Sequence, residues 1–190
     1  MMLIGMGAEA KIILDNGRVI KHRIPKRYRI HQLDSELRKE RTRAEAKLTS
    51  AARRLGIPTP IIYRIGRYEI EFEYLDGLLL RECINEELSR EAGRLTAKLH
   101  KGGIVHGDLT TSNFILSRGR LFLIDFGLSS FDSTLEGFGM DVHLYIQSVR
   151  ATHVREELVD SFKEGYSSEF SKAEEVFERV REIEKRGRYL

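Results

Sequence analysis

The sequence predicts an α+β fold of two lobes: a five-stranded antiparallel sheet with one main helix, then a reduced, mostly helical second lobe. Three observations predict it. Short strand patterns fill most of residues 3–74, interrupted by one long helical pattern from Asp34 to Leu55. Two further apolar runs, Phe114–Leu116 and Leu121–Ile124, read as a hairpin flanked by acidic motifs. Beyond Gly139, segments 139–150 and 155–186 read as helices with charged faces. The chain is expected to be one domain, 1–190, with a sheet lobe at 1–74, a hinge at about 73–77 and a helical lobe at 75–190.

The first strand, Leu3-Ile4, is barely two residues long, and Lys11–Leu14 forms the second. Between them runs Gly5-Met6-Gly7-Ala8-Glu9-Ala10, a turn able to lay backbone N–H groups over phosphates without side chains in the way. Asp15-Asn16-Gly17 is a hairpin signal leading into a third strand, Arg18–His22. Lys21 lies on that strand, where a phosphate-gripping lysine belongs. The helix at 34–55 has Asp34 or Ser35 as candidate caps and is ended by Gly56 and Pro58. Its apolar stripe, including Ala44 and Leu48, places Glu45 near the buried face, with Glu40 in reserve as the carboxylate that holds the lysine. Ile61–Ile65 and Glu69–Tyr74 alternate as two more strands, and Leu75-Asp76-Gly77 breaks the pattern.

Chemistry concentrates farther on. His106-Gly107-Asp108-Leu109-Thr110-Thr111-Ser112-Asn113 precedes Asp125-Phe126-Gly127. Phosphoryl transfer from ATP needs a carboxylate beside the attacking hydroxyl and oxygen ligands for magnesium from two segments. Asp108 suits the first task, Asn113 and Asp125 the second, since Asp and Asn oxygens match a hard cation. The intervening hairpin would return the chain on itself and bring Asn113 beside Asp125. Backbone groups near Glu73 and Leu75 are expected to bind adenine, with Phe72 at the back of the pocket, and Gly5, Gly7, Ala8 and Glu9 to cover the phosphates.

Composition narrows the possibilities. Of 190 residues, 41% are hydrophobic, enough for a globular core. The single cysteine, Cys83, permits neither an internal disulfide nor a thiolate metal cluster, which suits a reducing cytoplasm. No apolar run reaches membrane-spanning length and no secretory signal is visible, so a cytoplasmic protein without a membrane partner is expected. Net charge is only +3, but Lys21–Arg29 and the ending Lys185-Arg186-Gly187-Arg188-Tyr189-Leu190 are basic. Such patches fit a polyanion; for 38–47, with interleaved Glu36, Glu40 and Glu45, a solvated helix face laced with ion pairs serves equally.

With these motifs the chain resembles the protein-kinase superfamily, and most of all the small atypical kinases related to the PRPK kinase/ATPase subunit of the KEOPS complex. The closer resemblance lies in Gly7–Ala10, Arg43-Ala44-Glu45-Ala46, His106–Asn113, Asp125–Ser129, Ala151-Thr152-His153 and Arg186-Gly187-Arg188. It implies a protein-kinase-like bilobal fold, ATP and magnesium as cofactors, and weak serine/threonine kinase and ATPase activity in support of threonylcarbamoyl modification of tRNA beside the anticodon. It also implies association with a threonylcarbamoyl-transferase subunit and other KEOPS subunits, and tRNA contact through a tail carrying Lys185, Arg186 and Arg188.

The chain departs from ordinary protein kinases at several points. Gly107 replaces the arginine that grips a phosphorylated activation loop, so that switch is absent. Thr110 replaces a lysine near the γ-phosphate, which predicts slow transfer. No Ala-Pro-Glu anchor follows Gly127, and little chain remains for a peptide-binding platform. Asp141 fits a buried aspartate that props the catalytic loop, while Gly137-Phe138 stands where related kinases carry Asp-Lys. Two other functions compete with this one. A small-molecule phosphotransferase, of aminoglycoside or sugar type, also uses His-Gly-Asp; a purely nucleotide-binding module would not need Lys21, Asp108, Asn113 and Asp125 together.

Overall fold

The computed structural model describes residues 1–7 and 9–187. Five strands, β1 (Met2–Met6), β2 (Ala10–Asp15), β3 (Arg18–Arg23), β4 (Ile62–Ile65) and β5 (Glu69–Glu73), pair antiparallel in the order β1-β2-β3-β5-β4. The first strand is longer than the sequence suggests. β1 is an edge strand with mostly exposed side chains, so its apolar pattern is short while its ladder to β2 is not. Gly5 pairs with Ile12 across a register shift and so belongs to the strand rather than to the turn.

Helix α1 (His31–Arg54) lies between β3 and β4 in sequence and starts ahead of both candidate caps. Ile30 precedes it without any side-chain cap. Asp34 is instead buried, accepting the Lys26 N–H at 3.1 Å and Arg38 Nε at 2.7 Å. Its carboxylate pins the 24–30 loop to the helix, while the Ser35 hydroxyl bonds the Tyr68 hydroxyl at 2.8 Å.

The helical region comprises α2 (Leu80–Cys83), α3 (Glu86–Lys101), α4 (Leu135–His153), α5 (Glu156–Glu169) and α6 (Ala173–Gly187). Short strands β6 (Leu78–Leu79), β8 (Phe114–Ser117) and β9 (Arg120–Leu123) form one small sheet, and β7 (Ile104–Val105) pairs with β10 (Ser130–Phe131). The predicted hairpin is therefore β8–β9, with Phe114 opposite Leu123.

Two expected helices have different limits. α4 begins at Leu135 because the Thr134 hydroxyl accepts the Gly137 N–H at 3.1 Å and caps it. Segment 155–186 is two helices rather than one: Phe170 adopts extended backbone and packs edge-on against Phe138 and Tyr166. The main core fills this region, with Tyr145 stacked on Phe162 at 4.0 Å and both fully buried. Leu158, Val176, Phe177 and Val180 join it, whereas Ile183 is only partly buried.

Helices α3 and α5 touch through backbone. A Cβ on Gly93 would lie 2.1 Å from the Phe162 carbonyl oxygen, and one on Gly165 would lie 1.9 Å from that of Arg90. Glycine is required at both places by the close approach itself. Among the described residues no helix is long and apolar enough to cross a membrane.

Candidate active site

Strand alternation puts Lys21 and Arg23 on the same face of β3, and α1 passes beneath that face. Glu45, 1% exposed on α1, takes Lys21 Nζ at Oε1 (2.8 Å) and Arg23 Nη2 at Oε2 (2.5 Å). Glu40 is exposed and takes no part. Lys21 Nζ also lies 2.6 Å from Asp125 Oδ1. Burial alone would push the lysine down, but the charges of Glu45 and Asp125 outweigh it and hold the ammonium above its ordinary value. Burial likewise works against the Asp125 carboxylate, yet Lys21 and the Gly127 N–H hold it below the usual range.

The acidic motifs meet because β8–β9 folds back on itself. The Ile124 N–H donates to the Asn113 carbonyl at 2.9 Å, which sets Asn113 beside the start of Asp125-Phe126-Gly127. Asn113 Nδ2 donates to the Asp108 carbonyl (2.7 Å) and to Asp108 Oδ2 (2.9 Å). Asp125 has φ of 60°, a left-handed conformation in which its Oδ1 accepts the Gly127 N–H at 3.1 Å.

Beneath the loop, Asp141 is fully buried and accepts the N–H groups of His106 (2.6 Å) and Gly107 (2.8 Å). His100 Nε2 lies 3.1 Å from the same carboxylate, and its Nδ1 lies 2.7 Å from the Tyr166 hydroxyl. His106 Nε2 donates to the Ile124 carbonyl at 3.0 Å, which leaves Nδ1 to accept the Asp108 N–H at 3.3 Å. One buried aspartate thus fixes the loop that carries Asp108. Phe138, one of the two positions where the chain departs from related kinases, stacks on His100 at 4.4 Å.

Gly107 has φ of +81°, and a Cβ there would sit 2.3 Å from the Leu128 carbonyl oxygen. The segment after Asp125 is therefore packed directly on the loop that carries Asp108. The Ser129 hydroxyl reinforces it by donating to the His106 carbonyl at 2.8 Å.

Two cavities adjoin these residues. One, of about 260 Å³, runs from Lys21, Glu45 and Asp125 to Phe72, Glu73 and Leu75, with Ile12 and Val19 on the sheet side and Ile115 and Ile124 on the other. The second, of about 480 Å³, is lined by Gly7, Glu9, Lys21, Arg23, Asp108, Asp125 and Gly127. Gly5 lines neither, because it lies within β1; Ile4 reaches the first cavity instead. Ala8 falls outside the described residues.

Sequence reasoning missed Arg23 and the aliphatic walls. Arg23 was findable from its parity with Lys21, and Ile12 from its direct pairing with Lys21 across β2–β3.

The basic end differs from expectation. Lys185 and Arg186 belong to the last turn of α6 rather than to a tail. Arg186 Nη1 bonds Glu136 Oε1 at 3.2 Å, and Arg188 lies outside the described residues. In 38–47 the ion-pair reading holds for several residues: Arg38 meets Asp34, Lys39 meets Glu36, and Arg41 meets Glu9.

No family model matches the chain. A probable serine/threonine-protein kinase Bud32 homologue from Archaeoglobus fulgidus is 48% identical over 190 residues, which is 100% of this chain and 97% of that protein. The KEOPS complex subunit Bud32 of Pyrococcus abyssi is 40% identical, covering 100% of this chain and 96% of the relative. A probable bifunctional tRNA threonylcarbamoyladenosine biosynthesis protein from Methanosarcina acetivorans is 48% identical over 96% of this chain but only 35% of its own length. The chain thus spans about a third of the bifunctional relatives it matches and nearly all of the shorter ones.

Among solved structures, the Rio2 kinase–ADP/Mg2+–phosphoaspartate complex from Chaetomium thermophilum superposes with a TM-score of 0.66 at 17% identity, covering 98% of this chain and 70% of the other. WaaP in complex with acyl carrier protein gives 0.65 at 15%, covering 97% and 88%. Both likenesses show the fold, which is protein-kinase-like.

Proposed function

The chain belongs to the Bud32 family of serine/threonine-protein kinases, and from that premise we propose that it acts as the magnesium-ATP-dependent subunit of a KEOPS assembly serving tRNA threonylcarbamoyladenosine biosynthesis. Family membership brings kinase chemistry and ATP use with it. The observation that carries the reading in this chain is the convergence of Lys21, Glu45, Asp108 and Asp125 on adjoining cavities, with Asn113 bonded to Asp108 beside them. We treat 1–190 as one two-lobed domain hinged at about 73–77, with the first cavity for adenine and the second for phosphates.

The residues fit magnesium. Asp125 and Asn113 offer hard oxygen donors from two segments, and this ion takes one or two carboxylates together with substrate phosphates. When bound, magnesium would neutralise phosphate charge and orient the transferring group.

The protein's own groups do the rest. Asp108 accepts the proton of the attacking hydroxyl, and Asn113 holds the Asp108 carboxylate in place by its 2.9 Å hydrogen bond. Lys21, kept charged by Glu45, faces the phosphate oxygens. Gly7 and Glu9 line the second cavity, and Phe72, Glu73 and Leu75 border the first.

The same premise supports a threonylcarbamoyl-transferase subunit and other KEOPS subunits as partners. The bifunctional relatives agree with this, since their kinase-like third sits in one polypeptide with further sequence. We assign tRNA contact to Lys185, Arg186 and Arg188; the first two are exposed at the end of α6. The relatives give no support to a small-molecule phosphotransferase.

The test is magnesium-ATP turnover with and without a transferase subunit and tRNA. Turnover that is weak alone, altered by the partners and abolished in Asp125→Ala supports the proposal. Partner-independent turnover, or an unaffected Asp125→Ala variant, contradicts it.

A further inference from the structure

Arg23 has no task in the chemistry described so far, yet it is among the most buried cations of the chain, 4% exposed while lining the larger cavity. Two independent observations put its guanidinium beside the Lys21 ammonium. A single carboxylate, Glu45, holds both, one on each oxygen. A Cβ placed on Gly127 would be 3.2 Å from Lys21 Nζ and 3.5 Å from Arg23 Nη2, so both cationic groups reach the same spot over the Gly127 backbone.

The counter-ions are unequal. Glu45 is buried on the inner face of α1 and held by two cations, whereas Glu9 stands at the mouth of the cavity, 40% exposed, on the turn between β1 and β2. Glu9 meets Arg23 Nη1 at a loose 3.4 Å and pairs closely with Arg41. The Arg41 hydrogen bond holds its carboxyl below the usual range, so it is an anion at neutral pH. A half-exposed carboxylate on a buried guanidinium, in a cavity that Asp108 and Asp125 also line, is the kind of anion that a phosphate oxygen can replace.

We propose that Arg23 is a second phosphate-binding cation of this site, positioned by Glu45, and that Glu9 is a resident anion which the polyphosphate of the nucleotide displaces from it. Arg23 then supplies from the sheet the positive charge that Thr110 does not supply from the catalytic loop. Displacement also frees the β1–β2 turn, because Glu9 ties that turn to β3 and α1 through Arg23 and Arg41. The inference rests on the nucleotide-site reading above.

The test measures binding of magnesium-ATP and of adenosine to the full chain and to Arg23→Met, Arg23→Lys and Glu9→Gln. Arg23→Met should weaken ATP about tenfold while leaving adenosine within about twofold, the loss expected for one charge-assisted contact. Arg23→Lys should restore part of that loss. Glu9→Gln, which keeps the side chain's size at a partly exposed position, should tighten ATP several-fold and leave adenosine alone. Equal weakening of both ligands by Arg23→Met would make Arg23 purely structural, and weaker ATP binding by Glu9→Gln would also overturn the proposal. If the unaltered chain binds neither ligand, the nucleotide-site reading itself fails; if it binds both and only the variant pattern is absent, this inference alone fails.

Discussion

Asn113 holds Asp108 by two hydrogen bonds from one amide nitrogen, 2.7 Å to the backbone carbonyl and 2.9 Å to the carboxylate. The proton-accepting role proposed for Asp108 requires an aimed carboxylate, and this amide is placed to aim it. Asp108→Asn should lower turnover by about 10²-fold or more with little change in the melting temperature. Asn113→Ala should lower it as well and raise the magnesium concentration required, since one residue serves both tasks. Magnesium titrations of the two variants separate these effects.

Restoring a side chain at Gly107 should be destructive. Its positive φ and the Leu128 carbonyl 2.3 Å from a would-be Cβ leave no room. Gly107→Ala should cost about 1–3 kcal/mol and loosen the segment after Gly127. Thermal melting and limited proteolysis near Leu128 would show it. Unchanged melting would mean that the segment is not packed on the catalytic loop.

Gly165→Ala should also destabilise, by about 1–3 kcal/mol or more, because the new methyl meets the Arg90 carbonyl where α3 and α5 touch. This change lies in the helical core, so the magnesium-ATP affinity of the remaining folded protein should be unaltered. Denaturant unfolding combined with nucleotide binding checks both halves.

Much of this arrangement was legible in the sequence. Asp108, Asn113 and Asp125 were marked by motif spacing, and the β8–β9 turn followed from two apolar runs separated by Ser117–Arg120. What escaped was set by tertiary contact. Asp34 looked like a helix cap because short acids favour that position, yet its bonds to the Lys26 N–H in the 24–30 loop and to Arg38 on α1 made it a clasp. The division of 155–186 depended on Phe170 finding Phe138, far away in sequence, which no local period encodes. Gly5 looked like turn chemistry, but pairing with Ile12 absorbed it into an edge strand. Arg23 read as one more charge in a basic run because its partner Glu45 comes from another element.

Stability should fall off at both ends of the pH scale for identifiable reasons. The folded-state values of Asp34 and Asp125 are depressed, so their contribution is present above about pH 4 and is lost as pH falls through those lowered values. Lys21 is raised, so its contribution is intact below about pH 10.4 and disappears only as pH rises through its folded value. Asp34→Asn should therefore be less stable than the parent at pH 7, with the gap closing toward pH 3. Melting curves across that range test it; a gap independent of pH would show that the Asp34 charge contributes nothing.

The proposed role of Asp108 is to accept the proton in an ATP-dependent phosphoryl transfer. Its most direct measurement is the single-turnover rate of ATP consumption with saturating magnesium, for the parent and for Asp108→Asn, in the presence of the transferase subunit and tRNA. The structure predicts a fall of about 10²-fold or more at unchanged ATP affinity. Equal rates for the two proteins would contradict it.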